Sequence, residues 1–245
     1  MTSAEQVDGS SPPSVADLSW LEDLPVADVV TVLLFGSIAR GDDDERSDLD
    51  VMVVVEDRGA AAALDQAICS DRDQLVVPSV RTVASLLNEV KERPSFIAHL
   101  VDEGRILRQS PAWPPLRARL AEASTDHDAL AAEVRYRLQH LEPFSRLERF
   151  RLSPVTVLSH LWAIARSVVI AQLLQQGVHE YSWRRAFDRY AELRPDLRGE
   201  LEALKQLRPY YERARGRTGN GLPEVQIGTD DVRRLVEAVE QIGIM

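Results

Sequence analysis

Apolar residues along this chain follow two periods, and the change from one to the other divides it. From roughly Leu18 to Ser110, short Val-rich runs alternate with helical ones. "VVTVLLF" (Val29–Phe35), "DVMVVV" (Asp50–Val55) and "QLVVPSV" (Gln74–Val80) are bounded by polar or turn residues and read as buried strands. An Ala-rich helical pattern, Arg58 to Ser70, separates the second from the third. "VASLLNEVKER" and "SFIAHLVDEGRIL" predict two further helices parted at Pro94. Gly104 is the stop of the second, with a short extended piece after it.

After "SPAWPP" (Ser110–Pro115) almost everything has helical spacing. The pattern predicts helices over Leu116–Ala123, His127–Leu147, Pro154–Gln176, Trp183–Leu193, Leu197–Arg215 and Asp230–Ile242. The third is the most apolar and is expected at the centre of a bundle, with Ser153 and Pro154 opening it and Gly177 closing it. "RARGRTGNGLPE" reads as a Gly-rich connection before the last helix. The expected fold class is α+β. A polar leader (residues 1–17, read as poorly ordered) precedes a small mixed-sheet domain (18–110), and an all-α helical bundle domain (111–245) follows.

Composition changes this picture in three places. No stretch approaches the roughly 20 apolar residues of a membrane span, and the N-terminus lacks the basic start and apolar core of a secretory signal. The single Cys69 leaves no internal disulfide and fits a reducing cytoplasm. Charge is uneven. Between Arg135 and Arg217 there are sixteen Arg or Lys against nine Asp or Glu, while the whole chain carries a net charge of −10. Global acidity argues against indiscriminate nucleic-acid binding, and the basic helical half leaves room for a protein or RNA partner.

The densest chemistry lies in "LLFGSIARGDDDERSDLDVMVVV", Leu33 to Val55. Alternation along a strand puts Asp48 and Asp50 on one face and turns Leu49 into the core. Two adjacent carboxylates repel unless a cation lies between them. An all-oxygen donor set favours a hard ion such as Mg²⁺, which combines one or two carboxylates with phosphate oxygens. Gly36 lets backbone come close to such a phosphate, Ser37 offers a hydroxyl and an amide at a helix N-terminus, and Arg40 adds a charged donor.

"FGSIARGDDDERSDLD" resembles the signature of the DNA polymerase β-like nucleotidyltransferase superfamily, in particular its minimal branch, whose motif runs Gly-Ser, Ala-Arg-Gly, Ser-Asp-x-Asp. The resemblance covers roughly Leu18 to Leu107. It implies transfer of a nucleoside monophosphate from an NTP to an acceptor hydroxyl on a small molecule, a protein or an RNA, with release of pyrophosphate and a requirement for Mg²⁺. Gly36 and Ser37 fall on the family's nucleotide-phosphate-binding pair, with Arg40 and Ser47 beside them. Asp48 and Asp50 fall on its metal-binding carboxylates. In this superfamily a helical bundle often follows the catalytic domain, as in aminoglycoside nucleotidyltransferases or in toxin–antitoxin pairs.

Two-metal transfer also wants a third carboxylate on the next strand to take the acceptor's proton. "QLVVPSVR" contains none. Asp71 and Asp73 precede it, and Asp73 serves if the strand begins a residue or two early. Otherwise the chain reads as a nucleotide-binding regulatory protein that holds a partner through its helical half, in the manner of an antitoxin. In that half, Glu133 is recommended as an acceptor-side base only by its position, and His160 reads as an interior histidine. Trp162, Tyr181, Trp183, Tyr210 and Tyr211 are candidates to stack on an acceptor. "RYRLQH" matches an Arg-x4-His RNase motif on paper, but residues five apart on a helix lie roughly 140° apart, so Arg135 and His140 do not converge.

Overall fold

The computed structural model describes residues 28–42, 49–70, 78–145, 153–215 and 229–244. They form two compact units. One comprises the described residues up to Leu86 together with Glu103–Pro115. The other comprises Leu87–Asp102 and the described residues from Leu116 onward.

In the first unit, strand β1 (Val29–Phe35) runs into the short helix α1 (Gly36–Arg40), and strand β2 (Asp50–Val55) returns alongside it. Helix α2 (Arg58–Ser70) then carries the chain to strand β3 (Ser79–Thr82), and strand β4 (Arg105–Gln109) closes the unit's sheet. The strand order is β3-β2-β1-β4. β1 is antiparallel to both β2 and β4, whereas β2 and β3 are parallel because α2 provides the crossover. The sheet is mixed, as its sequence pattern led us to expect.

The two central strands are continuous Val-rich runs because both of their faces are covered. Val32, Leu34, Leu49, Val51, Val53 and Val55 cluster with Ala60 and Leu64 of α2, and Ile38 and Ala39 of α1 pack against them. On the opposite face Leu33, Met52 and Val54 are also buried. Leu49 therefore does turn into the core. The third strand differs from its expected span. Its described part is Ser79–Thr82, beyond most of "QLVVPSV", and Gln74–Val77 lie outside the described residues.

Helices α3 (Val83–Glu92) and α4 (Pro94–Glu103) part at Arg93 and Pro94, as read from sequence. Helix α5 (Trp113–Ser124) starts earlier than expected. Pro114 and Pro115 sit in its first turn, where no intrahelical N–H is needed. The predicted His127–Leu147 helix is two: α6 (His127–Gln139) ends at His140, and a single turn, α7 (Glu142–Ser145), follows. The predicted Leu197–Arg215 helix is likewise split into α10 (Arg198–Lys205) and α11 (Arg208–Ala214), with Pro209 opening the latter. Between α7 and α10 come α8 (Pro154–Gln175) and α9 (Trp183–Leu193), and α12 (Thr229–Gly243) is last.

α8 is the central helix of the second unit and touches α6, α9, α10, α11 and α12. Ser153 Oγ accepts from Thr156 N at 3.2 Å at its start, and Gly177, at φ +69°, closes it. Among the described residues α8 is the helix long and apolar enough to cross a membrane by length and composition, which corrects the sequence expectation. In its most apolar window, 78% of the helix is buried inside the protein. Apolar residues all around a helix are what burial on every side requires. His160 on this helix is exposed rather than interior, with Nδ1 2.7 Å from Thr156 O.

Glu133 of α6 has a structural task instead of a catalytic one. It is 2% exposed. Its carboxylate accepts from Ser95 N and from Ser95 Oγ, both at 3.0 Å, and from Arg137 Nη2 at 3.2 Å. It thus satisfies backbone at the start of α4 from another helix. Glu133→Ala should lower unfolding free energy by about 2–3 kcal/mol, read from the urea midpoint, because it leaves buried donors unpaired. Ser153→Ala, the loss of an exposed cap, should cost only about 1 kcal/mol.

Candidate functional site

The Gly-Ser turn and the Asp-bearing strand meet because β1 and β2 pair to their ends. The register matches Leu34 with Val51 and Phe35 with Asp50. At the next residue the chain turns. Gly36 has φ +80°, in the left-handed region that favours glycine. A Cβ built there would lie 2.5 Å from Asp50 Oδ2. Only a residue without a side chain lets the backbone pass this close to the carboxylate.

α1 is closed by a second glycine. Gly41, at φ +70°, donates to Ile38 O at 3.2 Å, and Asp42 N donates to Ser37 O at 3.1 Å. Ser37 is half-buried in the first turn and Asp50 is half-buried at the mouth of β2. At the other end, Arg40 donates from Nε to Asp42 Oδ1 (3.1 Å) and from Nη1 to Glu103 Oε2 (3.0 Å). Its side chain is only 9% exposed. Burial alone works against the charge, but the hydrogen bonds to Asp42 and Glu103, with their negative charges, outweigh it and hold the Arg40 pKa above its ordinary value. The guanidinium therefore stays charged throughout the physiological range and pins the turn to the residue that precedes Gly104 and β4.

Of the residues read from sequence, Gly36 and Asp50 are brought together; Ser37 follows in the first turn of α1, and Arg40 at its far end turns to Asp42 and Glu103. Ser47, Asp48 and Asp73 lie outside the described residues. Within the described part of β3 (Ser79, Val80, Arg81, Thr82) there is no carboxylate. Among the described residues no three His, Cys, Asp or Glu side chains gather as metal ligands. Sequence reasoning missed Glu103, which lies 63 positions from Arg40 and carries no local signal. Asp42 was visible only as part of an acidic run.

The aromatic candidates separate into two kinds. Tyr181 is 1% exposed, donates from its hydroxyl to Asp102 Oδ2 at 2.5 Å and stacks on His99 (ring centroids 5.2 Å apart). His179 Nδ1 lies 2.6 Å from the same carboxylate oxygen. Tyr181 is therefore a buried tether and cannot stack on an acceptor. Trp162 is buried too, whereas Trp183, Tyr210 and Tyr211 are half-exposed.

With this geometry in hand, comparison with known proteins assigns a segment of the chain that spans the four strands. Residues 24–110 match the family model "Polymerase beta, Nucleotidyltransferase". This segment of the chain is a nucleotidyltransferase domain of the DNA polymerase β-like superfamily. No curated protein sequence matches the chain significantly. One solved structure with a matching chain is described as "Crystal structure of the toxin-antitoxin with AMP-PNP". The match covers 51% of this chain and 94% of that one, at 19% identity and a TM-score of 0.33. A likeness at that score carries no argument.

The two glycines of α1 provide an internal control. A Cβ at Gly41 meets nothing within 4 Å, so Gly41→Ala should cost only the left-handed backbone penalty, about 1–2 kcal/mol. Gly36→Ala carries the same penalty and also drives a methyl into Asp50. Calorimetric unfolding should show it to be the more damaging by at least about 1 kcal/mol.

Proposed function

We propose that the first unit is a Mg²⁺-dependent nucleotidyltransferase that moves a nucleoside monophosphate from an NTP to an acceptor hydroxyl. The acceptor oxygen bonds to the α-phosphorus, the bond to the β-phosphate oxygen breaks, and pyrophosphate leaves. The observation that carries this reading is the approach of the Gly36 backbone to the Asp50 carboxylate. Phosphate-binding backbone and a cation-binding oxygen need to be this close to share one triphosphate.

The donors present fit a hard cation: Asp50 at the strand mouth, with Asp48 beside it in sequence, and no nitrogen or sulfur ligand demanded. Mg²⁺, when bound, neutralises the triphosphate and favours departure of pyrophosphate. In this reading the backbone at Gly36 and the Ser37 hydroxyl orient the phosphates, with Ser47 alongside. Arg40, held by Asp42 and Glu103, fixes the turn that presents them. Asp73 takes the acceptor's proton.

A second reading is favoured by one observation, the lack of a carboxylate on the described part of β3. In it the unit binds an NTP without turnover and the chain serves a protein partner as an antitoxin-like regulator.

A transfer assay decides between them. The chain is incubated with α-labelled ATP, GTP, CTP or UTP in Mg²⁺ and offered aminoglycosides, total tRNA or lysate protein. Label should pass to one acceptor class, and Asp50→Ala should reduce it at least about 100-fold. NTP binding with no transfer to any acceptor would instead support the regulatory reading.

A further inference from the structure

Trp162, Trp183 and Tyr211 of the second unit form one connected group, and arginines lie against it. Trp162 of α8 is the floor, 2% exposed. Tyr211 of α11 lies against it with ring centroids 4.4 Å apart, and Trp183 at the start of α9 meets it edge-on at 6.1 Å. Over these rings sit guanidiniums. That of Arg208 is 4.3 Å from the Trp183 centroid and that of Arg184 is 5.2 Å from the same ring. Arg215 is 5.4 Å from Tyr211, and its Nη1 donates to the Tyr211 hydroxyl at 2.5 Å. Arg166 is 5.8 Å from Trp162.

A guanidinium stacked on a ring is pre-oriented. Arg184 and Arg208 lie over the Trp183 ring, and Arg215 holds the Tyr211 hydroxyl through one N–H. Glu212 pairs with Arg208, and Arg184 and Arg215 carry positive charge at exposed positions. Trp183 and Tyr211 are half-exposed. The indole Nε1 of Trp162 is buried without a hydrogen-bond partner.

Such a surface repels cationic ligands. It combines two requirements that a ligand must meet together: flat faces to stack and negative charges spaced between them. Unpaired nucleotides meet both, because bases stack on aromatic rings and guanidinium planes while phosphates take the N–H edges. Duplexes hide their base faces, and acidic peptides have charge without the rings. We propose that the arginine-covered aromatic cluster of α8, α9 and α11 is a binding surface for single-stranded nucleic acid. The surface lies within one unit and needs no transfer chemistry, so it stands apart from the proposed reaction.

The test uses the full chain with no NTP present. Fluorescein-labelled 12-nucleotide RNA and DNA strands are titrated by anisotropy at 50 to 200 mM salt, with the matching duplexes and a poly-glutamate peptide as competitors. Tryptophan emission is followed in parallel. Single strands should bind, quench tryptophan and lose affinity with salt. Arg184→Gln with Arg215→Gln, both at exposed positions, should weaken binding at least about 10-fold and reduce the salt slope by about 1–2, since each phosphate contact contributes about 0.7. Trp183→Phe should retain more binding than Trp183→Leu at equal helicity by circular dichroism. Tighter binding of RNA or of DNA would identify the source. The proposal is overturned if single strands do not bind at 50 mM salt, if the double variant binds as wild type, or if duplex or poly-glutamate competes equally.

Discussion

The pairing of Phe35 with Asp50, at the end of the β1–β2 ladder, is the constraint on which the candidate site depends. It fixes where the turn begins and where the carboxylate emerges. Val32, Leu34, Val51 and Val53 pack with Ala60 and Leu64 of α2, and a slip of one residue would turn a strand's set to the other face of the sheet and carry Asp50 out of register with Phe35. The core thus sets the register, and the register brings Gly36 against Asp50. α1 is too short to hold itself by helical propensity. Its position is set by the packing of Ile38 and Ala39, by Gly41, and by the grip of Asp42 and Glu103 on Arg40.

The second unit is organised differently. A 22-residue apolar helix lies inside a ring of amphipathic ones, and polar contacts across the bundle fix their ends. Tyr190 of α9 donates to Ile242 O at 2.9 Å and Gln172 of α8 donates to Gly243 O at 3.1 Å, so two helices hold the end of α12. Glu133 does the same for the start of α4. These contacts satisfy groups that helix termini leave open. The aromatic cluster beside Arg184, Arg208 and Arg215 is a part of this unit where charge and ring surface reach solvent together.

Local signals were legible in the sequence. The strands β1 and β2, the break at Pro94, the Ser153–Pro154 helix start and the Gly177 stop all follow from period, caps and the special conformations of Gly and Pro. The Gly-Ser and Asp-x-Asp spacing pointed to the nucleotidyltransferase superfamily, and the family match over residues 24–110 bears that out. What the sequence could not carry depends on distant partners. Glu133 meets Ser95 across 38 positions and Arg40 meets Glu103 across 63, so one looked like a spare base and the other like a free donor. Helix breaks after Gln139 and Lys205 interrupt apolar patterns that keep helical spacing, and their local signal is a proline in the first turn of the next helix, Pro143 in α7 and Pro209 in α11. His160 looked interior because its neighbours are apolar, yet it faces outward on a helix that is buried elsewhere.

The central claim is that Gly36 and Asp50 form one site for a metal-bound triphosphate. Titration calorimetry of a non-hydrolysable NTP analogue tests it most directly, with wild type in Mg²⁺, wild type in EDTA, and Asp50→Asn in Mg²⁺. If the account is right, affinity falls at least about tenfold, or about 1.4 kcal/mol, both on removing Mg²⁺ and on neutralising Asp50. The two losses should also fail to add in Asp50→Asn with EDTA, since they remove the same interaction. Equal affinity under all of these conditions would contradict it, because the carboxylate beside the glycine turn would then take no part in holding the triphosphate.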